Sequence, residues 1–170
     1  MATAPLIVSE AEYLHTSYRP DCDYVDGAVL ERNPGQFDHS KLQMLVLVAL
    51  SARAGEWGVL ILPELRLRIR QRKYRVPALM VLSAGVDHPP VIEQPPLLCI
   101  EIVSPDDRLH NLTERAQDYG SLGVPQPWIL DPKYRKAYIY ERGRGLNQVD
   151  SAAVLHSPPV SLDLGKLFAL

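Results

Sequence analysis

At 170 residues, 46% of them hydrophobic and 22% charged, the chain is long enough for one buried core and too short for two ordinary domains, so a single domain over 1–170 is expected. A formal net charge of −2 excludes a protein that attracts nucleic acid by overall positive charge, and leaves only a local basic surface for that role. No run approaches the roughly 18 uninterrupted apolar residues of a membrane span, and the N-terminus lacks a basic leader and a long apolar stretch, which predicts a cytoplasmic protein without membrane contact.

Ser9-Glu10-Ala11-Glu12 has the capping-box spacing and opens a short helix of about two turns. Cys22 to Leu30 reads as a hairpin around the Asp26-Gly27 turn. The longest helical pattern runs from Asp38 or His39 to about Gly55, with Leu42, Leu45, Val46, Ala49 and Leu50 recurring at three- and four-residue steps. Strands follow at Val59–Leu62 and Leu65–Ile69; in the second, apolar residues alternate with Arg66, Arg68 and Arg70. After a polar turn at Gln71–Lys73, Tyr74–Leu82 is expected to be one further strand. Cys22 and Cys99 lie far apart and outside any CxxC pair, which fits a reducing compartment.

Leu97–Val103 is almost wholly apolar, as a central strand is. A helix is predicted from Arg108 to about Leu122, capped by Pro105-Asp106-Asp107 and ended by Gly123, with Leu109, Leu112, Ala116 and Tyr119 on one buried face. Pro127–Leu130 and Lys136–Tyr140 are strands joined at Asp131-Pro132, and the second, read as an edge, could support a homodimer. Leu162, Leu164, Leu167 and Phe168 predict a short docking helix. The order of elements makes an α/β (α+β) domain with a mixed central β-sheet flanked by helices.

One residue is out of place in this pattern. Alternation along Leu97–Val103 sets Glu101 on a face with Cys99 and Val103. An ionised carboxylate there must be paired, hydrogen-bonded, protonated or bound to metal.

Four segments around it, Asp23-Tyr24-Val25-Asp26-Gly27, Tyr74-Arg75-Val76-Pro77, Glu101-Ile102-Val103-Ser104-Pro105 and Tyr119 through Trp128-Ile129-Leu130-Asp131-Pro132, together resemble the Uma-two family of restriction-endonuclease-like proteins. The resemblance implies a PD-(D/E)xK nuclease fold whose site holds an early acid, the Asp of a Pro-Asp pair, a Glu on the next strand and a Lys. Carried over, the early acid falls on Asp23, the Glu on Glu101 and the Lys on Arg115, while the Asp falls on Ala78. Asn111 stands where an Asp is common in the family.

The same resemblance implies Mg²⁺ (or Mn²⁺) as cofactor and DNA as substrate. Such chemistry needs a hard cation held by carboxylate oxygens. With a methyl group at Ala78, metal binding is expected to be weak and cleavage slight or absent, and Arg115, always protonated, cannot serve as a base. Asp23 and Glu101 are therefore the expected metal ligands, with Ala78 and Arg115 completing the altered site. Arg66, Arg68 and Arg70 form the densest basic stretch. They are either a phosphate-binding ridge or the charged wet face of an edge strand. His39 is either near the site, as the resemblance implies, or a helix cap. The alternative function is a non-catalytic nucleic-acid-binding or oligomerising protein.

Overall fold

The computed structural model describes residues 5–32 and 35–170. The two-residue strand β1 (Leu6–Ile7) precedes α1 (Glu10–His15), and Ser9 begins that helix by accepting the Glu12 N–H at 3.1 Å. β2 (Asp23–Val25) and β3 (Ala28–Leu30) form the expected hairpin, whose turn needs positive φ at both Asp26 and Gly27, 50° and 104°. α2 (Phe37–Ser51) buries His39, Leu42, Val46 and Leu50. A separate turn of helix, α3 (Ala54–Trp57), ends on Gly58 at φ 65°.

β4 (Val59–Pro63), β5 (Leu67–Arg70), β6 (Lys73–Arg75) and β7 (Leu79–Ser83) follow. The single strand expected over Tyr74–Leu82 is thus two, and they lie in different sheets. The break has a local cause: the Val76 N–H is given to Asp23 Oδ1 at 2.9 Å instead of to a neighbouring strand, and Pro77 has no N–H to give. β6 lies between β2 and β5 in a five-stranded sheet of order β1-β3-β2-β6-β5, and β7 enters a second sheet.

That second sheet continues through β8 (Leu98–Ile102), α4 (Leu109–Leu122), β9 (Trp128–Asp131), β10 (Lys136–Glu141) and β11 (Gly145–Val149), giving six strands in the order β11-β10-β9-β8-β7-β4. β8 and β9 pair in parallel across the helical crossover α4, and every other pair is antiparallel, so the sheet is mixed. β8 is buried along its whole length, as its apolar run predicts. β10 is not an edge, because the chain turns back at Gly143 and Gly145 and covers it with β11, which removes the open edge on which the dimer expectation rested.

The tail differs in kind from its prediction. A hairpin of β12 (Val154–Ser157) and β13 (Val160–Asp163) precedes the expected helix, α5 (Leu164–Phe168). Leu155, Val160, Leu162, Leu164 and Leu167 join the main core beside α2, and each fully buried aliphatic of this kind contributes roughly 1.5–3 kcal/mol. On α4, Leu112, Ala116 and Tyr119 are buried as expected, but Leu109 is 59% exposed. Asp107, predicted to cap α4, accepts the Ser104 N–H at 2.7 Å, and the N-cap position falls on Arg108. No helix among the described residues is long and apolar enough to cross a membrane.

Candidate active site at the seam of the two sheets

The link Val76–Ala78, where the chain passes from one sheet to the other, is the place where the candidate residues meet. Asp23 comes from β2 in the first sheet and Glu101 from β8 in the second, and both are buried. α4 lies across them and supplies Arg115. Its Nη1 donates to Asp23 Oδ2 at 2.9 Å, its Nε donates to Glu101 Oε1 at 3.0 Å, and its Nη2 donates to the Val76 carbonyl at 2.9 Å. A single guanidinium therefore bridges the two acids and ties them to the seam.

The network extends beyond these three. Tyr119, one helical turn after Arg115, donates a very short hydrogen bond to Glu101 Oε1. Arg75 donates to Asp23 Oδ2 at 2.9 Å, to Asp118 Oδ2 at 2.7 Å and to Glu114 Oε1 at 2.9 Å, and Lys73 donates to Asp118 Oδ1 at 2.7 Å. Burial works against the charge on Arg115, but Asp23 and Glu101 outweigh it and hold the guanidinium protonated even more firmly than usual. Burial, reinforced by the Glu101 carboxylate, drives the Tyr119 hydroxyl well above its ordinary pKa, so it remains a donor.

Ala78 is placed by register. β7 and β8 pair Leu79 with Ile100 and Met80 with Cys99, and one further step sets position 78 across from Glu101. The Ala78 side chain is fully buried and packs in the main apolar core with Leu42 and Val46, while its carbonyl accepts Gln43 Nε2 at 2.9 Å. It does not line the polar hollow of about 340 Å³ that opens over Asp23, Glu101 and Arg115. His39 and Asn111 do line it. His39 is 8% exposed and its Nδ1 has no hydrogen-bond partner among the described residues; burial, with the nearby Arg32 cation, pushes its pKa down and favours the neutral ring.

A divalent ion does not fit these acids as they stand. Asp23 gives Oδ1 to Val76 and Oδ2 to two arginines, and Glu101 gives Oε1 to Arg115 and Tyr119. Among the described residues, only Glu101 Oε2 of these four oxygens accepts no hydrogen bond, and a guanidinium already lies between the carboxylates. Among the described residues no group of three or more His, Cys, Asp and Glu side chains is placed to hold a metal ion.

Arg66, just before β5, and Arg68 and Arg70 within it are elsewhere and are already engaged. Arg66 is held by both oxygens of Asp21 at 2.7 Å and lies over the Tyr13 ring, Arg68 meets Glu93 at 3.1 Å, and Arg70 is bidentate to Asp26 at 2.8 Å. The expected positive ridge is a row of ion pairs, and a bulge between Arg68 and Arg70 interrupts its alternation.

Residues 11–168 match the model of a family described as Uma2, putative restriction endonuclease. The chain belongs to the Uma2 family. The fold of this Uma2 member is shared by the crystal structure of a putative nuclease belonging to DUF820 from Anabaena variabilis ATCC 29413. That structure superposes with a TM-score of 0.83 at 18% identity, over 95% of this chain and 98% of that one. The likeness places the chain in the restriction-endonuclease-like fold. A looser likeness, TM-score 0.43 at 12% identity, covers 72% of this chain and 10% of a chain in the cryoEM structure of a DrdV–DNA complex. The comparison with curated proteins gives no match.

Sequence reasoning named Asp23, Glu101 and Arg115 but not Arg75, Glu114 or Asp118 as members of the site, and it read Tyr119 only as a core aromatic. The signal was present. Glu114 and Asp118 are one helical turn apart, as are Arg115 and Tyr119, so α4 presents two adjacent stripes. Lys73 and Arg75, two apart on a strand, share the face that meets the acidic stripe.

Proposed function

We propose that this Uma2 member acts on DNA through a PD-(D/E)xK endonuclease domain spanning 1–170, with phosphodiester hydrolysis reduced or lost. The observation that carries this reading is the Arg115 guanidinium bridging Asp23 and Glu101, with alanine at position 78, across from Glu101 in the strand register. Mg²⁺ keeps most of its waters and depends on one or two anionic protein ligands. Loss of the carboxylate at 78 removes one such ligand, and the two acids that remain are neutralised from within the protein. Arg115 can stabilise charge on a phosphate but cannot take a proton from water.

The wild-type chain is expected to leave supercoiled plasmid intact in Mg²⁺ or Mn²⁺. Ala78→Asp combined with Arg115→Lys restores the missing acid and replaces the planar guanidinium by an ammonium that burial can tune. That double variant, checked for native folding by circular dichroism, is expected to gain nicking. A folded double variant that cuts no better than wild type counts against a nuclease lineage for the site.

Binding of nucleic acid without cleavage is the second reading, and the bridging of Asp23 and Glu101 by the Arg115 guanidinium favours it. Retention on DNA would then fall with salt in proportion to the phosphates neutralised. Because Arg66, Arg68 and Arg70 are paired, their replacement by Ala is expected to leave that salt slope nearly unchanged; a marked reduction would assign them to the interface.

A further inference from the structure

A second cavity, of about 410 Å³, adjoins the acid hollow, and His39, Ser104, Asp107 and Leu112 line both. Its volume lies in the range of small-molecule sites, roughly 300–1,000 Å³. We propose that it receives the base of a single unpaired nucleotide, with the phosphate held at its rim; this rests on the nucleic-acid reading above.

Burial assigns the two ends. The apolar lining includes Val103, Leu112 and Ile129, of which Leu112 and Ile129 are buried, and Leu109, whose exposure α4's own packing does not require, lines the same space. Tyr134, 63% exposed, lines the opening side with Lys133 and Lys136, and the two ammonium groups lie 5.2 and 5.9 Å from its ring. An exposed aromatic ring with two cations near it suits a base that stacks and a phosphate that follows it.

Asp131 sets the orientation. It is 8% exposed, and its Oδ1 accepts the Tyr134 N–H at 3.0 Å while Oδ2 accepts no hydrogen bond from the described residues. A carboxylate in the lining of the cavity repels phosphate and accepts an N–H. The base therefore points inward and the phosphate outward, and bases that carry an amino group, such as adenine or cytosine, are favoured over thymine. Unpaired or extruded nucleotides are the form in which a base can reach such a pocket.

The test uses the full chain and fluorescence anisotropy with a duplex carrying one central unpaired adenosine, and the same duplex with an abasic residue there. Wild type is expected to bind the adenosine duplex about fivefold or more tightly than the abasic one, the least that a stacked base contributes. Tyr134→Ala, an exposed site whose backbone bond to Asp131 survives, should erase that difference. Asp131→Asn should shift preference from adenosine toward thymidine, a change that a merely structural role would not produce. Equal binding of both duplexes by wild type overturns the pocket while leaving DNA binding intact. If neither duplex binds, titration with dAMP decides: perturbation of the Tyr134 surroundings keeps the pocket and sinks the DNA reading, and no perturbation sinks both.

Discussion

Two sets of arginines divide the molecule between them. Arg68 and Arg70 on β5 lie at the surface, each pairing with carboxylates that water also solvates, whereas Arg75 and Arg115 lie at the seam of the sheets among four acids and a buried tyrosine. The residue type is the same and the distances are similar, near 3 Å. What differs is the medium: exposed pairs contribute little, while removing one member of a buried pair strands an uncompensated charge. Density of positive charge along the sequence marks the exposed set, and depth in the fold marks the set that bridges the acids.

Breaking the buried set gives the largest effect. Arg115→Met should destabilise the fold by about 3–5 kcal/mol in urea unfolding, because Glu101 loses its cation. Arg115→Lys, which keeps the charge but not the planar fork, should cost less. A loss below about 1 kcal/mol for Arg115→Met would mean that the bridge is not buried as described. Tyr119→Phe comes next, at about 1.5–3 kcal/mol, the worth of a hydrogen bond to a charged group, with no change in overall structure.

Acid sharpens the comparison further. The pKa of His39 is depressed by burial below its ordinary 6.5, so the unfolded chain takes up its proton first as pH falls. The stability it contributes is complete above about pH 6.5 and is lost as the pH drops from there toward the folded-state value. His39→Gln should flatten this part of the stability profile, and an unchanged slope in the variant would assign it to other groups. The smallest effect belongs to the surface set: Arg68→Ala with Arg70→Ala should leave the melting midpoint within experimental scatter.

Local signals in the sequence carried most of the fold. Ser9 with Glu12, Asp26-Gly27, Gly123 and the apolar run of β8 each act over a few residues, and the structure follows them. The failures are long-range. Pro77 hints at a break within Tyr74–Leu82, but nothing nearby announces that Asp23, some fifty residues earlier in the chain, takes the Val76 N–H and helps to divide the strand. The β12–β13 hairpin was hidden because its alternation is short and interrupted by Pro158-Pro159 at the turn.

The site was legible in part, for a physical reason. Glu101 declares itself as a charge in a strand that should hold none, and the family resemblance supplied Asp23, Arg115 and the gap at Ala78. The partners that neutralise them come from β6 and α4, whose meeting is a matter of packing, so Arg75, Glu114 and Asp118 emerge only in three dimensions. The cavity beside Tyr134 gave no sequence signal except the exposed face of Leu109, which periodicity had assigned to the core.

Titration with Mn²⁺, followed by the loss of the free-ion electron paramagnetic resonance signal, tests the central claim directly. With the Arg115 guanidinium already set between Asp23 and Glu101, wild type should leave the ion free in solution, and Ala78→Asp with Arg115→Lys should take up bound metal. Stoichiometric uptake of Mn²⁺ by wild type, abolished by Glu101→Gln, would contradict the account.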